Sequence, residues 1–224
     1  MSDNGIYPSL NEVSSLAKRA ARGAGMNWGI AEEAANSVRW LTTQQLPGPA
    51  LLAGLLDKQA TLDIADVSPL IEQLPWVSAG DHVCPILAAA AFSDHQLWWK
   101  NPAHNCIDIV NLAYPLLMLP AVARVSASLG VWLQLSWDDV VISTDGKNTC
   151  LQGPATTQTA SLTHRFRCIE SQDMLLVNQT TRRQWVDRDS WKLLELYAYR
   201  SYAPATEESR RLGAGGSSEL PDDV

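Results

Sequence analysis

From Ser9 to Leu41 apolar side chains recur at three- and four-residue steps, interrupted once by a glycine corner. Leu10, Val13, Leu16, Ala17, Ala20 and Ala24 make one stripe; Ile30, Ala31, Ala34, Ala35, Val38 and Leu41 make a second, rich in alanine. That spacing is one face of a helix, so the stretch predicts two helices. Ser9 and Glu12 stand at the S-x-x-E spacing of a capping box. Lys18, Arg19 and Arg22 collect towards the end of the first helix, where cations favour the carbonyl pole of the dipole. Gly23 or Gly25 can supply the left-handed residue that stops it. Glu32 and Glu33 open the second helix and Arg39 closes it, again in the favourable sense. Leu46-Pro47-Gly48-Pro49 and Ser68-Pro69 then place prolines where new helices can start, which predicts a mainly helical region over about 9–75.

The period changes in the second half. Val83 to Phe92 is a continuous apolar run that periodicity cannot assign to buried helix or buried strand. Trp98-Trp99 and Asn101-Pro102 read as a loop with an aromatic lip. Val131, Leu133, Leu135 and Trp137 then alternate with Trp132, Gln134 and Ser136, the two-residue period of a half-buried strand. Val140 to Ser143 follows, and Asp145-Gly146 is a preferred two-residue hairpin turn returning through Thr149 to Leu151. Leu162, His164, Phe166 and Cys168 alternate with Thr163, Arg165 and Arg167, and 174–178 and 182–186 complete an antiparallel meander over about 107–186. Asp187 or Asp189 starts a closing helix over about 189–200. The expected fold class is α+β, a helical N-terminal layer packed on an antiparallel sheet with a closing helix. It forms a single domain over 1–212, and 213–224 reads as a flexible acidic tail.

A chain of 224 residues can bury a sizeable core. Its net charge of −7 argues against sequence-independent binding of nucleic acid or of an anionic membrane surface. The least charged stretch, Ile107 to Ala123, holds Asp108, Asn111, Pro115 and Pro120 and is no membrane span. Four cysteines behind a polar N-terminus read as reduced thiols in the cytoplasm. Nine tryptophans against two phenylalanines suit interfaces and pockets as well as cores, and with the alanine-rich helices are compatible with a homodimer.

Candidate chemistry is sparse. His82-Val83-Cys84 and His104-Asn105-Cys106 repeat a His-x-Cys pattern, and residues two apart on a strand point the same way. Together His82, Cys84, His104 and Cys106 could complete a tetrahedral zinc site, although the spacing is not that of known zinc motifs; the alternative is buried thiols beside loop histidines. Asp94-His95 could act as an oriented base with Cys84 as nucleophile, but an apolar setting before Pro85 would raise the thiol's pKa. Arg165 and Arg167 share a strand face, and Arg182 can lie on the next strand. If the three converge they make a cationic patch for a carboxylate or phosphate; otherwise they are a solvated sheet face. No G-x-S-x-G, Walker A, Rossmann or H-E-x-x-H pattern is present, so no cofactor is expected.

The patterns S-L-N-E-V, A-A-R-G-A-G and W-G-I-A-E-E-A resemble the opening of a proteobacterial family catalogued only as a domain of unknown function. Tyr202 to Gly215, Y-A-P-A-T-E-E-S-R-R-L-G-A-G, resembles that family's closing motif. The resemblance brackets nearly the whole chain and implies no activity, though a patterned tail implies docking of that segment. The function expected is a non-catalytic binding or accessory protein for a small anionic metabolite or a partner enzyme. The alternative is a hydrolase- or lyase-type enzyme using Asp94, His95 and Cys84.

Overall fold

The capping box closes as its spacing predicts: the Ser9 N–H donates to Glu12 Oε2 at 2.7 Å and the Glu12 N–H to Ser9 Oγ at 3.2 Å. It starts α1 (Leu10–Gly23), which buries Val13, Leu16, Ala17, Ala20 and Ala21. The computed structural model describes residues 5–96, 106–171 and 185–201 of the chain. Of the two candidate glycines, Gly25 takes the left-handed conformation, with φ of 95°. The chain then turns into α2 (Trp28–Thr43), capped by Asn27, whose side chain accepts from the Ile30 N–H. α3 (Gly48–Lys58) follows with Pro49 in its first turn, where proline costs no hydrogen bond.

Gly23 has a different task. The closing helix α7 (Arg188–Tyr199), capped by Asp187, packs on α1 and α3. A Cβ at Gly23 would stand 1.8 Å from the Tyr197 carbonyl oxygen, so only glycine lets the two backbones approach this closely. The contact sets the C-terminal end of α7 beside the C-terminal end of α1.

The second half forms a five-stranded antiparallel sheet of β2 (Cys106–Ala113), β3 (Trp132–Trp137), β4 (Val140–Thr144), β5 (Thr149–Gln152) and β6 (Leu162–Ser171), in the order β2-β6-β3-β4-β5. Its inner face, including Ile107, Ile109, Leu133, Leu135, Ile142 and Phe166, joins one buried cluster with the helices. The free edge of β2 is covered by irregular chain: the Trp76 N–H donates to the Asp108 carbonyl and the Val83 N–H to the Asn111 carbonyl. An edge paired in this way offers no template for another strand. β1 (Gly5–Ile6) and β7 (Val186–Asp187) pair separately as a two-stranded ribbon.

The α+β class therefore holds, with differences inside it. Helix ends at Lys58, not near 75: no helix starts at Pro69, where Leu70 instead bridges Val77 and Trp76 is drawn onto β2. Long-range pairing overrides the local cap-plus-proline signal there. The apolar run resolves as α4 (Pro85–Asp94). The mainly β region carries α5 (Leu119–Leu129), entered by a 3₁₀ turn at Pro115–Met118, and a short α6 (Ala155–Gln158). The Asp145-Gly146 hairpin has a four-residue loop because Asp145 Oδ1 accepts from the Lys147 and Asn148 N–H groups, which stabilises the longer turn. Residues 174–178 and Arg182 lie outside the described residues, and Val186 belongs to the ribbon. Among the described residues no helix is long and apolar enough to cross a membrane.

Candidate functional site

The antiparallel register brings Asp108 of β2 directly opposite Arg167 of β6. Arg167 grips it with two parallel bonds, Nε to Oδ1 at 2.7 Å and Nη2 to Oδ2 at 2.8 Å, and Arg165 Nη2 reaches the same Oδ2 at 3.1 Å. The Arg167 hydrogen bonds, with those of Arg165, hold the Asp108 carboxyl below its ordinary pKa. Arg165 and Arg167 do share a face, but their charge is already engaged by a carboxylate that sequence reading did not pair with them. Two cations and one anion leave about one positive charge, spread along a strand.

The proposed nucleophile and base do not meet. Cys84 caps α4 at its start while Asp94 ends it and His95 follows. Ten residues of helix separate them by about 15 Å, far beyond a hydrogen bond. His95 Nδ1 instead lies 2.8 Å from the Ala91 carbonyl oxygen. The two His-x-Cys pairs diverge as well. Val83 bridges Leu112 at one end of β2, whereas Cys106 lies six residues away at the other end, roughly 20 Å along a strand. Cys84 and Cys106 cannot ligate one ion, which corrects the four-ligand arrangement. His104 lies outside the described residues, and among those described no group of three or more His, Cys, Asp or Glu is placed to hold a metal.

Cys84 has a local polar setting. Full burial pushes its thiol up, outweighing hydrogen bonds from the Leu87 and Ile86 backbone N–H groups and the Gln59 side chain. It therefore remains a thiol at neutral pH. Gln59 Nε2 also lies 3.2 Å from His82 Nε2, and burial, helped by the Lys58 charge, pushes the His82 pKa down. A cavity of about 310 Å³ lies over this group, with Gly25, Met26, Leu62 and Ile64 among its lining residues. Cys84 has no exposed surface, so the cavity does not present it as a nucleophile.

A second open pocket, also about 310 Å³, is built differently. Lys18, Arg19, Arg22 and Arg200 line it together with Trp28 and Ser201. Three local devices assemble it. Helical spacing puts Lys18 and Arg22 on adjacent turns of α1. The left-handed Gly25 turns the chain so that Trp28, the first residue of α2, comes back over them. The close contact at Gly23 carries Arg200 in from the end of α7. The Arg22 guanidinium carbon lies 4.6 Å and Lys18 Nζ 5.5 Å from the Trp28 ring centre. Arg22 also donates to the Met26 carbonyl, and Lys18 pairs with Glu32. Arg200 lies over the Tyr197 ring at 4.4 Å, and the buried Tyr197 hydroxyl is tied to the Leu56 carbonyl at 3.1 Å. Trp28 itself stays 65% exposed.

The charge balance decides what this pocket can do. Two helix C-termini meet here, each carrying about half a negative charge, while α2 begins here with about half a positive one. Four cationic side chains and the carboxylate of Glu32 gather at this pocket. Sequence reading saw Lys18, Arg19 and Arg22 only as complements to their own helix. It could not see Arg200, 178 positions from Arg22, and took Trp28 only as part of a motif.

Residues 8–84 match the family model described as "Protein of unknown function (DUF3726)". The match covers the N-terminal third of this chain. This bears out the resemblance to a domain of unknown function. The DUF3726 segment contains Lys18, Arg19, Arg22 and Trp28, and every lining residue of the cavity over Cys84, but stops short of Arg200. Tyr202 to Gly215, the second stretch of the resemblance, lies outside both the match and the described residues. No curated protein matches the chain. Among solved structures it is similar to a malate dehydrogenase from Entamoeba histolytica, at 10% identity and a TM-score of 0.43. That alignment covers 87% of this chain and 62% of the dehydrogenase chain, and at this level it carries no argument about fold or activity.

Proposed function

We propose that this protein is a non-catalytic binding protein for a small anionic metabolite, and that the ligand sits in the pocket between the ends of α1 and α7. One observation carries the reading: four cationic side chains converge on one open pocket in a protein whose net charge is −7. Elsewhere the arginine pair of the sheet is taken up by Asp108, and Cys84, Asp94 and His95 do not form a catalytic set. The cavity volume is at the lower end of the range that holds a single small molecule. The four free cysteines fit the reducing cytoplasm, where we place the protein. A partner protein or a second copy could dock beside the pocket, where Leu196 and Tyr199 of α7 are exposed at 55% and 75%.

A ligand that binds only the folded state raises the unfolding midpoint. Inorganic pyrophosphate and citrate, added at constant ionic strength, should raise the midpoint of the wild-type protein. The gain should disappear in the double variant Arg22→Ala/Arg200→Ala and persist in Arg165→Ala/Arg167→Ala. The same gain in all three proteins would defeat the proposal, because it would reflect general anion exclusion from the surface.

A further inference from the structure

The same pocket also carries a flat apolar wall, and an inorganic anion would leave it unused. Trp28 stands at the first position of α2 with 65% of its surface in solvent, the most exposed tryptophan among the described residues. Burial does not explain its place. Lys18 and Arg22 both approach it from adjacent turns of α1, so the indole leans on that helix and leaves the rest of its surface open to the pocket. Gly29, the next residue, leaves the neighbouring space clear: a Cβ there would meet only Asn27 Oδ1, at 3.6 Å. The open part of an indole ring is a stacking surface for a heteroaromatic base, since every base presents a π-face. Arg22 and Arg200 line the same pocket and carry the fork-shaped guanidinium donors that suit phosphate oxygens.

Resting on the anion-binding reading above, we propose that the ligand is a phosphorylated heteroaromatic compound of the nucleoside phosphate class. Its phosphate lies among the arginines and its base lies against Trp28. The volume of about 310 Å³ suits one nucleotide, not a polymer.

Isothermal titration of the full chain with three probes separates this proposal from the reading on which it rests. ADP should bind at least tenfold tighter than inorganic pyrophosphate, and adenosine more weakly than either. Trp28→Ala should cost ADP roughly tenfold, within the range that base–aromatic stacking gives on alanine substitution, and cost pyrophosphate much less, through the seating of Lys18 and Arg22 alone. Trp28→Phe, which keeps a ring, should recover most of the loss. Equal binding of ADP and pyrophosphate to the wild type, or no effect of Trp28→Ala on ADP, would overturn the nucleoside assignment and leave the anion site standing. Binding of none of the probes to folded protein would overturn both.

Discussion

On the sheet two arginines close on one aspartate; at the ends of α1 and α7 four cations line one open pocket. The first cluster is a cross-strand pair in register, with Asp108 only 15% exposed and bonded through both oxygens. The second is spread over two helices, with its cations held by ring faces and backbone carbonyls. Arginine alone does not mark a binding site. What separates the regions is that the sheet pair closes on a carboxylate of the fold, whereas the helix-end cations line open space. A cluster closed on its own carboxylate should matter for stability, one that lines a pocket for binding.

The contact beneath the pocket offers the strongest way to break that contrast. Gly23→Ala puts a methyl group where the Tyr197 carbonyl lies and should cost about 2–3 kcal/mol by urea denaturation, as overpacking does. Because it pushes α7 and Arg200 away from α1, it should also weaken anion binding in whatever protein still folds. Asp108→Asn should cost about 1–3 kcal/mol, the worth of hydrogen bonds to a charged group, and leave anion binding intact. Wild-type stability should carry the matching pH signature. The folded pKa of Asp108 is depressed, so its contribution is present above the unfolded value of about 3.9 and is lost as pH falls through the folded one. Acid titration of the two proteins by circular dichroism should therefore show their difference in stability shrinking below that value. The smallest stability change belongs to Arg22→Ala/Arg200→Ala, at about 1 kcal/mol or less, since these side chains offset dipole ends near the surface. This variant should show the largest loss of ligand stabilisation.

Much of this architecture was legible in short-range pattern. Ser9 and Glu12 sit three residues apart and cap α1 as read, and the alternation about Leu133 and Phe166 marks β3 and β6. Pattern failed where the partner is remote. Pro69 carries a helix-start signal, yet the chain just beyond it is held open by Leu70 pairing with Val77 and Trp76 bonding to β2, and the register with β2 is not written near residue 69. The sites divide in the same way. That Arg165 and Arg167 share a face follows from the period of two, but that Asp108 opposes them depends on a register between residues 57 positions or more apart. Lys18 and Arg22 were visible as a basic helix end. Their meaning changes only when Gly25 folds Trp28 back over them and Gly23 admits α7 with Arg200.

The central claim is that the helix-end cations gather on an open pocket, whereas the arginines of the sheet are bonded to an aspartate of the fold. Thermal unfolding with pyrophosphate at constant ionic strength, run on wild type, Arg22→Ala/Arg200→Ala and Arg165→Ala/Arg167→Ala, tests it most directly. Ligand at a hundredfold excess over Kd should stabilise the wild type by about 2.7 kcal/mol. The sheet variant should gain as much and the helix-end variant nothing. A gain that vanishes in the sheet variant and survives in the helix-end variant would contradict the account and return the site to the arginines of β6.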